Sequence, residues 1–237
     1  MFRESDDESS EGSSDDEDAS PIAGESASDD SMTYESLNKS FSIILRQDRK
    51  KGIAHQLWPA ATFLSHYLEQ HTSEFLPQGT SVLELGAGIG LCGLVCHKLH
   101  ASHVVLTDLP VAIPLLNTNI GLNCTTENVQ AAVLSWGNAN DLTQVVTQIP
   151  PSERLLCVAA DCVYWENLFQ PFFETVRALV VDHNVDVLLA HVKRWKRDER
   201  FFKLCRKHMH VDQLVEDISH DQDQRTIKRI YRITKKS

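Results

Sequence analysis

Four residues suited to ligand binding each stand at the end of a short apolar run: Glu84, Asp108, Trp136 and Asp161. Runs of this length and composition predict buried β-strands. The carboxyl ends of parallel strands meet at one edge of a sheet, and ligands bind at that edge. Taken alone, Asp108 could cap the next helix and Asp161 could cap a turn. Taken together, the four side chains predict one shared site.

The stretch after the first run is rich in glycine, and one of its two patterns points to a dinucleotide. Gly88, Gly90 and Gly93 form the pattern G-x-G-x-x-G. In dinucleotide-binding proteins such glycines let the backbone approach a pyrophosphate, and an acid about 20 residues further on binds ribose hydroxyls. Asp108 has that spacing. This pattern favours a nicotinamide-dependent oxidoreductase.

The other pattern points to a methyl donor. Gly86, Gly88 and Gly90 form G-x-G-x-G, two residues after Glu84. This resembles motif I of the S-adenosylmethionine-dependent methyltransferases of the seven-stranded class, in which the strand-end acid serves the ammonium group of the cofactor. A nicotinamide cofactor has no ammonium group, so an acid there would face a pyrophosphate. Glu84 therefore favours the methyl donor, and a glycine-rich turn without function is the third interpretation.

Strands and helices alternate through the rest of the chain. The predicted strands span 82–85, 103–107, 129–134, 155–160 and 185–190, and the predicted helices begin at Pro59, near Leu91, at Pro110, near Asn167 and near Arg197. Such alternation predicts an α/β fold with a mostly parallel sheet and helices on both faces. Two final runs, 210–215 and 227–233, are close enough in the sequence to form an antiparallel hairpin.

A second hairpin is expected before the first of these helices. The β-rich runs 42–47 and 53–58 are separated by the polar stretch 48–52, which ends in a glycine. Polarity and a terminal glycine are typical of a hairpin loop. The sequence therefore predicts an N-terminal hairpin extension, 32–58, to a single domain that spans 32–237.

Residues 1–31 have the composition of a disordered tail. They contain twelve acids and one base, a formal charge of −11, against −10 for the whole chain, so the rest of the chain carries about +1. Large apolar residues are too few here to offset the entropy of ordering. We expect these residues to form a disordered, charged leader that helps to keep the protein in solution. Ser5, Ser13 and Ser14 each have an acid three positions on, which makes a phosphorylated interaction arm the alternative.

The sequence shows no sign of a targeting signal, a membrane span, a metal site or a disulfide framework. The acidic start fits neither a secretory signal nor a transit peptide, and no apolar run is long enough to span a bilayer. We therefore expect a cytoplasmic or nuclear protein that does not bind membranes, and we expect a monomer. The six cysteines form no C-x-x-C pair, so neither a metal site nor a disulfide framework is predicted.

From about Phe41 to the end, the chain resembles a known family. The matching pieces are L-W-P-A-A at 57–61, V-L-E-L-G-A-G-I-G at 82–90, V-V-L-T-D-L at 104–109, L-L-N-T-N-I-G-L-N at 115–123, L-S-W-G at 134–137 and A-A-D-C-V-Y at 159–164. In this order and spacing they are similar to the family 16 methyltransferase-like protein-lysine methyltransferases, within the seven-β-strand superfamily. The resemblance implies a seven-stranded Rossmann-like sheet and S-adenosyl-L-methionine as cofactor.

The resemblance also assigns residues. It implies that the cofactor is bound by Trp58, Glu84, Gly86, Ala87, Gly88, Asp108, Trp136 and Ala160. The family carries a D-x-x-Y element beside the methyl group, here Asp161 to Tyr164. Methyl transfer needs a neutral nitrogen whose lone pair is in line with the breaking bond. We therefore expect Asp161 to accept hydrogen bonds from the N–H groups of the incoming amine, and Tyr164 to form a wall of the acceptor channel.

The acceptor is where the sequence departs from the family. Many lysine methyltransferases carry a tyrosine, an acid and two arginines after the fifth strand, whereas this chain reads H-V-K-R-W-K-R at 191–197. We expect a protein substrate and most of all a lysine. Protein histidine or arginine, a nucleic acid and a small molecule stay open, as does a catalytically silent binding module. Cys162 and Val163 replace the two prolines of the D-P-P-Y element that nucleobase methyltransferases use, which disfavours a nucleic acid.

Overall fold

A computed structural model describes residues 30–151, 154–221 and 224–236. Residues 1–29, most of the predicted tail, lie outside the described residues. The last two positions of that predicted tail, Asp30 and Ser31, already belong to the first strand. Strand β1 therefore begins two residues before the predicted start of the domain at residue 32.

Nine strands and seven α-helices make up the described chain. The strands are β1 Asp30–Glu35, β2 Ser42–Gln47, β3 Thr80–Leu85, β4 His103–Asp108, β5 Val129–Val133, β6 Arg154–Ala160, β7 Asp186–Lys193, β8 Met209–Asp221 and β9 Gln224–Lys235. The helices are α1 Pro59–Gln70, α2 Thr72–Phe75, α3 Leu91–Lys98, α4 Ile113–Asn123, α5 Ala139–Gln148, α6 Phe169–Arg177 and α7 Glu199–His208.

Seven of the strands form one sheet in the order β5-β4-β3-β6-β7-β9-β8. Strands β3 to β7 are mutually parallel, whereas β9 runs antiparallel to both β7 and β8. This confirms the predicted fold class: a mostly parallel sheet with a C-terminal antiparallel hairpin. The strand order reverses beside β3, which places a topological switch point at the glycine-rich stretch.

Helices cover both faces of the sheet because successive side chains of a buried strand point to opposite sides. Leu83 of β3 packs with the phenylalanines of α6 and α7 on one face. Val82, its neighbour, packs with α1 and α3 on the other. Both faces are apolar, which explains why the central strands have no polar alternation in the sequence.

The N-terminal hairpin exists, but its strands differ from those predicted. β2 pairs antiparallel with β1, which precedes it, and 53–58 forms no strand. Ile53–His55 is a single 3₁₀ turn instead. Its residues are held locally: Trp58 Nε1 donates to the Ile53 carbonyl at 2.8 Å, and His55 Nε2 lies 3.2 Å from the Val111 carbonyl oxygen. The segment 53–58 therefore lies beside the glycine loop, with the Ala54 carbonyl oxygen 3.6 Å from the position of a Cβ on Gly88, and takes no part in strand pairing.

Two asparagines of α4 attach this hairpin to the domain. The Asn123 side chain accepts from Ile44 N–H at 2.8 Å and donates to the Ile44 carbonyl at 2.7 Å. Asn119 does the same for Arg46, at 2.8 and 3.1 Å, and also donates to the Ile89 carbonyl in the glycine loop at 2.8 Å. The two side chains satisfy the open edge of β2 as a further strand would.

Smaller differences concern element ends. Helix α4 begins at Ile113 rather than at Pro110, with Pro114 in its first turn. Helix α5 was not predicted. The C-terminal strands are longer than expected, reaching Asp221 and starting at Gln224. None of the helices in the described ranges has the length and apolar character needed to cross a bilayer.

The packing of α3 on the sheet yields a stability prediction. A Cβ at Gly93 would stand 2.0 Å from Leu106 Cδ2 and 2.9 Å from Glu84 Oε2. We expect Gly93→Ala to destabilise the fold by about 1–3 kcal/mol through overpacking. The matched control is Gly121→Ala in α4, where a Cβ meets nothing within 4 Å. It should stabilise by about 0.5–1 kcal/mol. Urea unfolding of both variants checks the contrast, and equal effects would contradict it.

Candidate functional site

A cavity of about 460 Å³ lies at the carboxyl ends of β3, β4, β5, β6 and β7. Its walls come from the strand-end loops and from the 3₁₀ turn before α1. The lining residues are Ile53, Ala54, Trp58, Gly86, Gly88, Asp108, Leu109, Leu134, Ser135, Trp136, Ala160, Asp161, Cys162, Tyr164, Trp165, Leu168, Pro171, Arg194, Trp195 and Arg197. Its volume is within the roughly 300–1,000 Å³ of cofactor and small-ligand sites.

The glycine loop forms the floor of this cavity. Gly86, Gly88 and Gly90 have φ angles of 62°, 56° and 90°, in the left-handed region that favours glycine. A Cβ at Gly86 would stand 2.7 Å from the Trp136 ring and 3.0 Å from Cys162 Sγ. Glycine at position 86 thus lets Trp136 and Cys162 pack directly against the backbone of the loop.

Asp108, at the end of β4, holds its carboxylate against this loop. Oδ2 accepts from Gly88 N–H at 2.8 Å, and Oδ1 accepts from Leu109 N–H at 2.7 Å. Burial raises the pKa of Asp108, although the two N–H donors act in the opposite direction. Each oxygen has a second lone pair, and the residue lines the cavity, so the carboxylate can accept two further hydrogen bonds from a ligand's hydroxyls.

Trp58, Trp136 and Ala160 line the cavity and supply apolar walls. Trp136 is fixed by Phe172, with ring centroids 4.7 Å apart. Trp58 is fixed by its hydrogen bond to Ile53 and faces the Arg194 guanidinium, which lies 5.6 Å from its ring centroid. Aromatic walls of this kind exclude water and can pack against a flat ring.

Two predicted cofactor-binding residues do not line the cavity. Glu84 is 2% exposed and accepts from Gly93 N–H at 2.8 Å, beneath the start of α3. Ala87 is also buried, and its N–H donates to the Thr107 carbonyl at 2.9 Å. Glu84 points away from the cavity because it shares a face of β3 with Val82, the face that α3 covers. Neither side chain lines the cavity, and both residues form hydrogen bonds within the protein around the loop.

Asp161 lies at the end of β6 in a left-handed backbone conformation, with φ 62°. Its N–H donates to the Ala190 carbonyl at 2.9 Å. Its carboxylate is paired with Arg194 by two parallel hydrogen bonds, Nη1 to Oδ1 at 2.7 Å and Nη2 to Oδ2 at 2.6 Å. Strained backbone at a cavity wall is typical of functional positions.

Tyr164 stands beside this pair, with its ring 5.2 Å from that of Trp165. Burial, followed by the nearby Cys162 and Asp108, raises the pKa of Tyr164 to about 12. The phenol is therefore neutral at physiological pH and can donate a hydrogen bond. Burial likewise raises the pKa of the Cys162 thiol, whose Sγ donates to the Leu85 carbonyl at 3.3 Å. A protonated, hydrogen-bonded thiol is not a nucleophile.

The segment after β7 contributes more to the cavity than the sequence suggested. Arg194, Trp195 and Arg197 line it. Asp198 fixes the turn, accepting from Arg194 N–H and Trp195 N–H at 3.2 and 3.0 Å. Burial acts to raise the pKa of Asp198, but His191 and these N–H donors outweigh it and hold the pKa below its usual value. The signal that could have revealed this segment is its position after the fifth parallel strand.

Metal and disulfide chemistry receive no support in the described ranges. No group of three or more potential ligands is gathered there for a metal ion. The six cysteines are free thiols.

The position of Glu84 leads to a prediction about pH. Burial raises its pKa to about 8, against the Gly93 N–H, which favours the carboxylate. In the unfolded chain Glu84 ionises near its ordinary value of 4.5. Between these values the folded protein binds the extra proton, so stability should fall as pH rises, by up to ~1.4 kcal/mol per pH unit from this group.

Glu84→Gln should remove that slope, because its amide oxygen still accepts from Gly93 N–H but does not ionise. The measurement is urea unfolding at several pH values between 5 and 8, with the variant's free energy of unfolding subtracted from the wild type's. A difference that does not change with pH would contradict the assignment of Glu84 as a buried, protonated support.

Comparisons with known proteins agree with this site. Residues 37–208 match the family model described as lysine methyltransferase. The chain is 35% identical to protein N-lysine methyltransferase METTL21A of Mus musculus over 184 residues, covering 76% of this chain and 80% of that protein. It is 31% identical to EEF1A lysine methyltransferase 3 of Mus musculus over 182 residues, covering 75% and 74%.

Solved structures share the fold at low sequence identity. A putative transferase from Pyrococcus horikoshii, PH0793, has a TM-score of 0.55 at 16% identity, covering 88% of this chain and 74% of that one. SMU.776, a putative methyltransferase complexed with SAH, has a TM-score of 0.57 at 9% identity, covering 89% and 58%. The fold, the site and the family match lead to one conclusion: the chain belongs to the lysine methyltransferase family, whose members are S-adenosylmethionine-dependent enzymes.

Proposed function

We propose that this protein transfers a methyl group from S-adenosylmethionine to the ε-amine of a lysine in a protein substrate. The observation that carries the proposal is one cavity that joins a hydroxyl-binding carboxylate, Asp108, to the D-x-x-Y element formed by Asp161 and Tyr164. The similarity to two N-lysine methyltransferases supports lysine over histidine, arginine, nucleic acid or a small molecule as acceptor.

The residues present fit this donor. Gly86 and Gly88 leave bare backbone at the floor, where a Cβ on Gly86 would meet Trp136. Asp108 offers its remaining lone pairs to two ribose hydroxyls, and Trp58 and Trp136 offer apolar surface to the rest of an adenosine. When bound, S-adenosylmethionine supplies a methyl group activated by its positively charged sulfur.

The acceptor side must deliver a neutral amine with its lone pair in line, with the reacting atoms about 3–3.5 Å apart. A lysine has a solution pKa near 10.4, so a proton must leave, and burial in an apolar channel favours that loss. Asp161 can accept hydrogen bonds from the N–H groups that remain on the amine. Tyr164, neutral at physiological pH, can donate a hydrogen bond and form a channel wall. Deprotonation through water requires no dedicated base.

The direct test uses methyl-labelled S-adenosylmethionine and purified protein added to a lysate of its own cells, followed by mass spectrometry of the labelled material. We expect label on a lysine of one or a few proteins. Label on histidine, arginine, RNA or a small molecule would contradict the proposed acceptor. The control is the same reaction with Asp161→Asn, which should lose the specific signal.

Donor binding should depend on Asp108. We expect Asp108→Asn to weaken S-adenosylmethionine binding by about 1.5–3 kcal/mol, because ribose hydroxyls lose a charged acceptor. Isothermal titration calorimetry of each protein with S-adenosylmethionine measures this change in binding free energy. Asp182→Asn, at an ion pair with Arg177 outside the cavity, is the matched control and should change nothing. Unaltered affinity in Asp108→Asn, or tight binding of a nicotinamide dinucleotide, would count against the assignment.

Turnover should depend on Asp161 more than donor binding does. We expect Asp161→Asn to lower single-turnover methylation by on the order of 100-fold, because an amide orients an amine poorly, with a much smaller change in donor affinity. Tyr164→Phe should be milder, since it keeps the ring and removes only the hydroxyl. Loss of methylation that simply tracks loss of bound donor would remove Asp161 from the acceptor side.

A further inference from the structure

The carboxylate expected to hold the acceptor amine already has a partner. Arg194 binds both oxygens of Asp161, at 2.7 and 2.6 Å, and the Val192 N–H lies 3.4 Å from Oδ1. The Asp161 side chain is 4% exposed. The carboxylate is therefore largely enclosed, and an amine can take the position of the guanidinium only if Arg194 moves.

Displacing Arg194 without compensation would be costly. Removing one partner of a buried, bidentate ion pair leaves the other charge without its counter-ion in a poorly solvated site, which is strongly unfavourable. The exposed fraction of the Arg194 side chain is 29%, so the guanidinium lies at the boundary of cavity and solvent. A small movement of its side chain would bring it to the mouth of the cavity, where a substrate arrives.

The unfavourable free energy of separating Arg194 from Asp161 is avoided if each of them gains a new partner from the substrate. If the substrate carries an acid beside its acceptor lysine, Arg194 can transfer from Asp161 to that acid while the lysine takes its place on Asp161. The lysine arrives as an ammonium group and replaces the guanidinium on Asp161 while Arg194 pairs with the substrate acid, so neither carboxylate lacks a cation until the amine gives up its proton to water. We propose that Arg194 closes the acceptor side of the site and that the protein selects substrates in which an Asp or Glu side chain neighbours the methylated lysine. The inference rests on the proposed function.

The surface around Arg194 fits such a segment. From Lys193 to Arg197 the chain carries four bases and no acid. These residues are exposed, and Arg194 and Arg197 line the cavity together with Trp165 and Trp195, each of which is 53% exposed. Arg197 lies over the Trp195 ring, 5.0 Å from its centroid. A basic, partly aromatic rim complements an acidic segment with some apolar surface.

The backbone that carries Arg194 is fixed, so the exchange requires only a side-chain movement. Asp198 accepts from the N–H groups of Arg194 and Trp195 and is itself buried beside His191, with Oδ2 3.4 Å from His191 Nε2. The guanidinium lies 5.6 Å from the Trp58 ring centroid, a second attractive contact on the cavity side. These contacts define one closed position of Arg194.

The test starts from the labelled lysine that the lysate experiment identifies. Every Asp and Glu side chain next to that lysine in the substrate is changed to Ala, one at a time. We expect one of these changes to lower kcat/KM of the wild-type enzyme about 30-fold or more. The variant Arg194→Gln lacks the positive charge that would bind the substrate acid. For this variant, the same substrate change should lower kcat/KM by less than about threefold.

The control enzyme is Arg197→Gln, which loses a charge at the same rim but has no contact with Asp161. This control enzyme should keep most of the 30-fold difference in kcat/KM between the native substrate and the substrate that lacks the acid. Arg194→Lys, which keeps the charge, should restore part of it. Thermal melting and calorimetric binding of S-adenosylhomocysteine confirm that each variant is folded and binds the donor product, so a loss of discrimination is not a loss of structure.

The outcomes separate the two proposals. Methylation of a protein lysine with no acidic neighbour, or equal discrimination by wild type and Arg194→Gln, overturns the role of Arg194 and leaves the proposed function intact. Equal loss in Arg194→Gln and Arg197→Gln also overturns it, since general rim charge would then explain the preference. Label that enters RNA, or no macromolecule at all, contradicts the proposed function and this inference with it.

Discussion

Parallel pairing of β3 to β7 brings the carboxyl ends of five strands to one edge of the sheet, and the residues proposed to bind donor and acceptor depend on this constraint. Asp108, Asp161 and Arg194 are far apart in the sequence, yet each follows a different strand of that set. The reversal of strand order beside β3 opens the crevice into which they face.

The backbone around the glycine loop is held from several sides by side chains of other elements. Glu84 binds Gly93 N–H from below, and Asn119 binds the Ile89 carbonyl from α4. Asn119 also carries the N-terminal hairpin through Arg46, and the 3₁₀ turn that follows the hairpin covers the loop. The hairpin is thus part of the support for the ligand site, because the same amide contacts both.

Much of this arrangement could be predicted from the sequence. Asp108, Trp136 and Asp161 were placed in the site because each follows an apolar run, and an apolar run fixes where a strand ends. Seven strands and most helix positions followed from the same alternation. The sequence pieces of the resemblance, taken in order, identified the family before any geometry.

The features that were missed depend on direction and pairing, which local composition does not encode. Glu84 stands at the predicted strand, but its side chain shares the face of Val82 and points to α3; strict alternation along β3 would have shown this. The partner of β2 was assigned to the following run because 53–58 is rich in β-formers, whereas β1 lies in a polar stretch that also looks like the end of the tail. The Asp161–Arg194 pair joins two strand ends across the sheet, and no spacing rule predicts it.

The most direct measurement of the central claim is a crystal structure of the protein with S-adenosylhomocysteine. The account predicts density in the cavity at the strand ends, with the ribose on the Asp108 carboxylate, the bare backbone of Gly86 and Gly88 in contact, and the sulfur directed toward Asp161 and Tyr164. Product bound elsewhere, or bound in the cavity with its sulfur remote from the D-x-x-Y element, would contradict it.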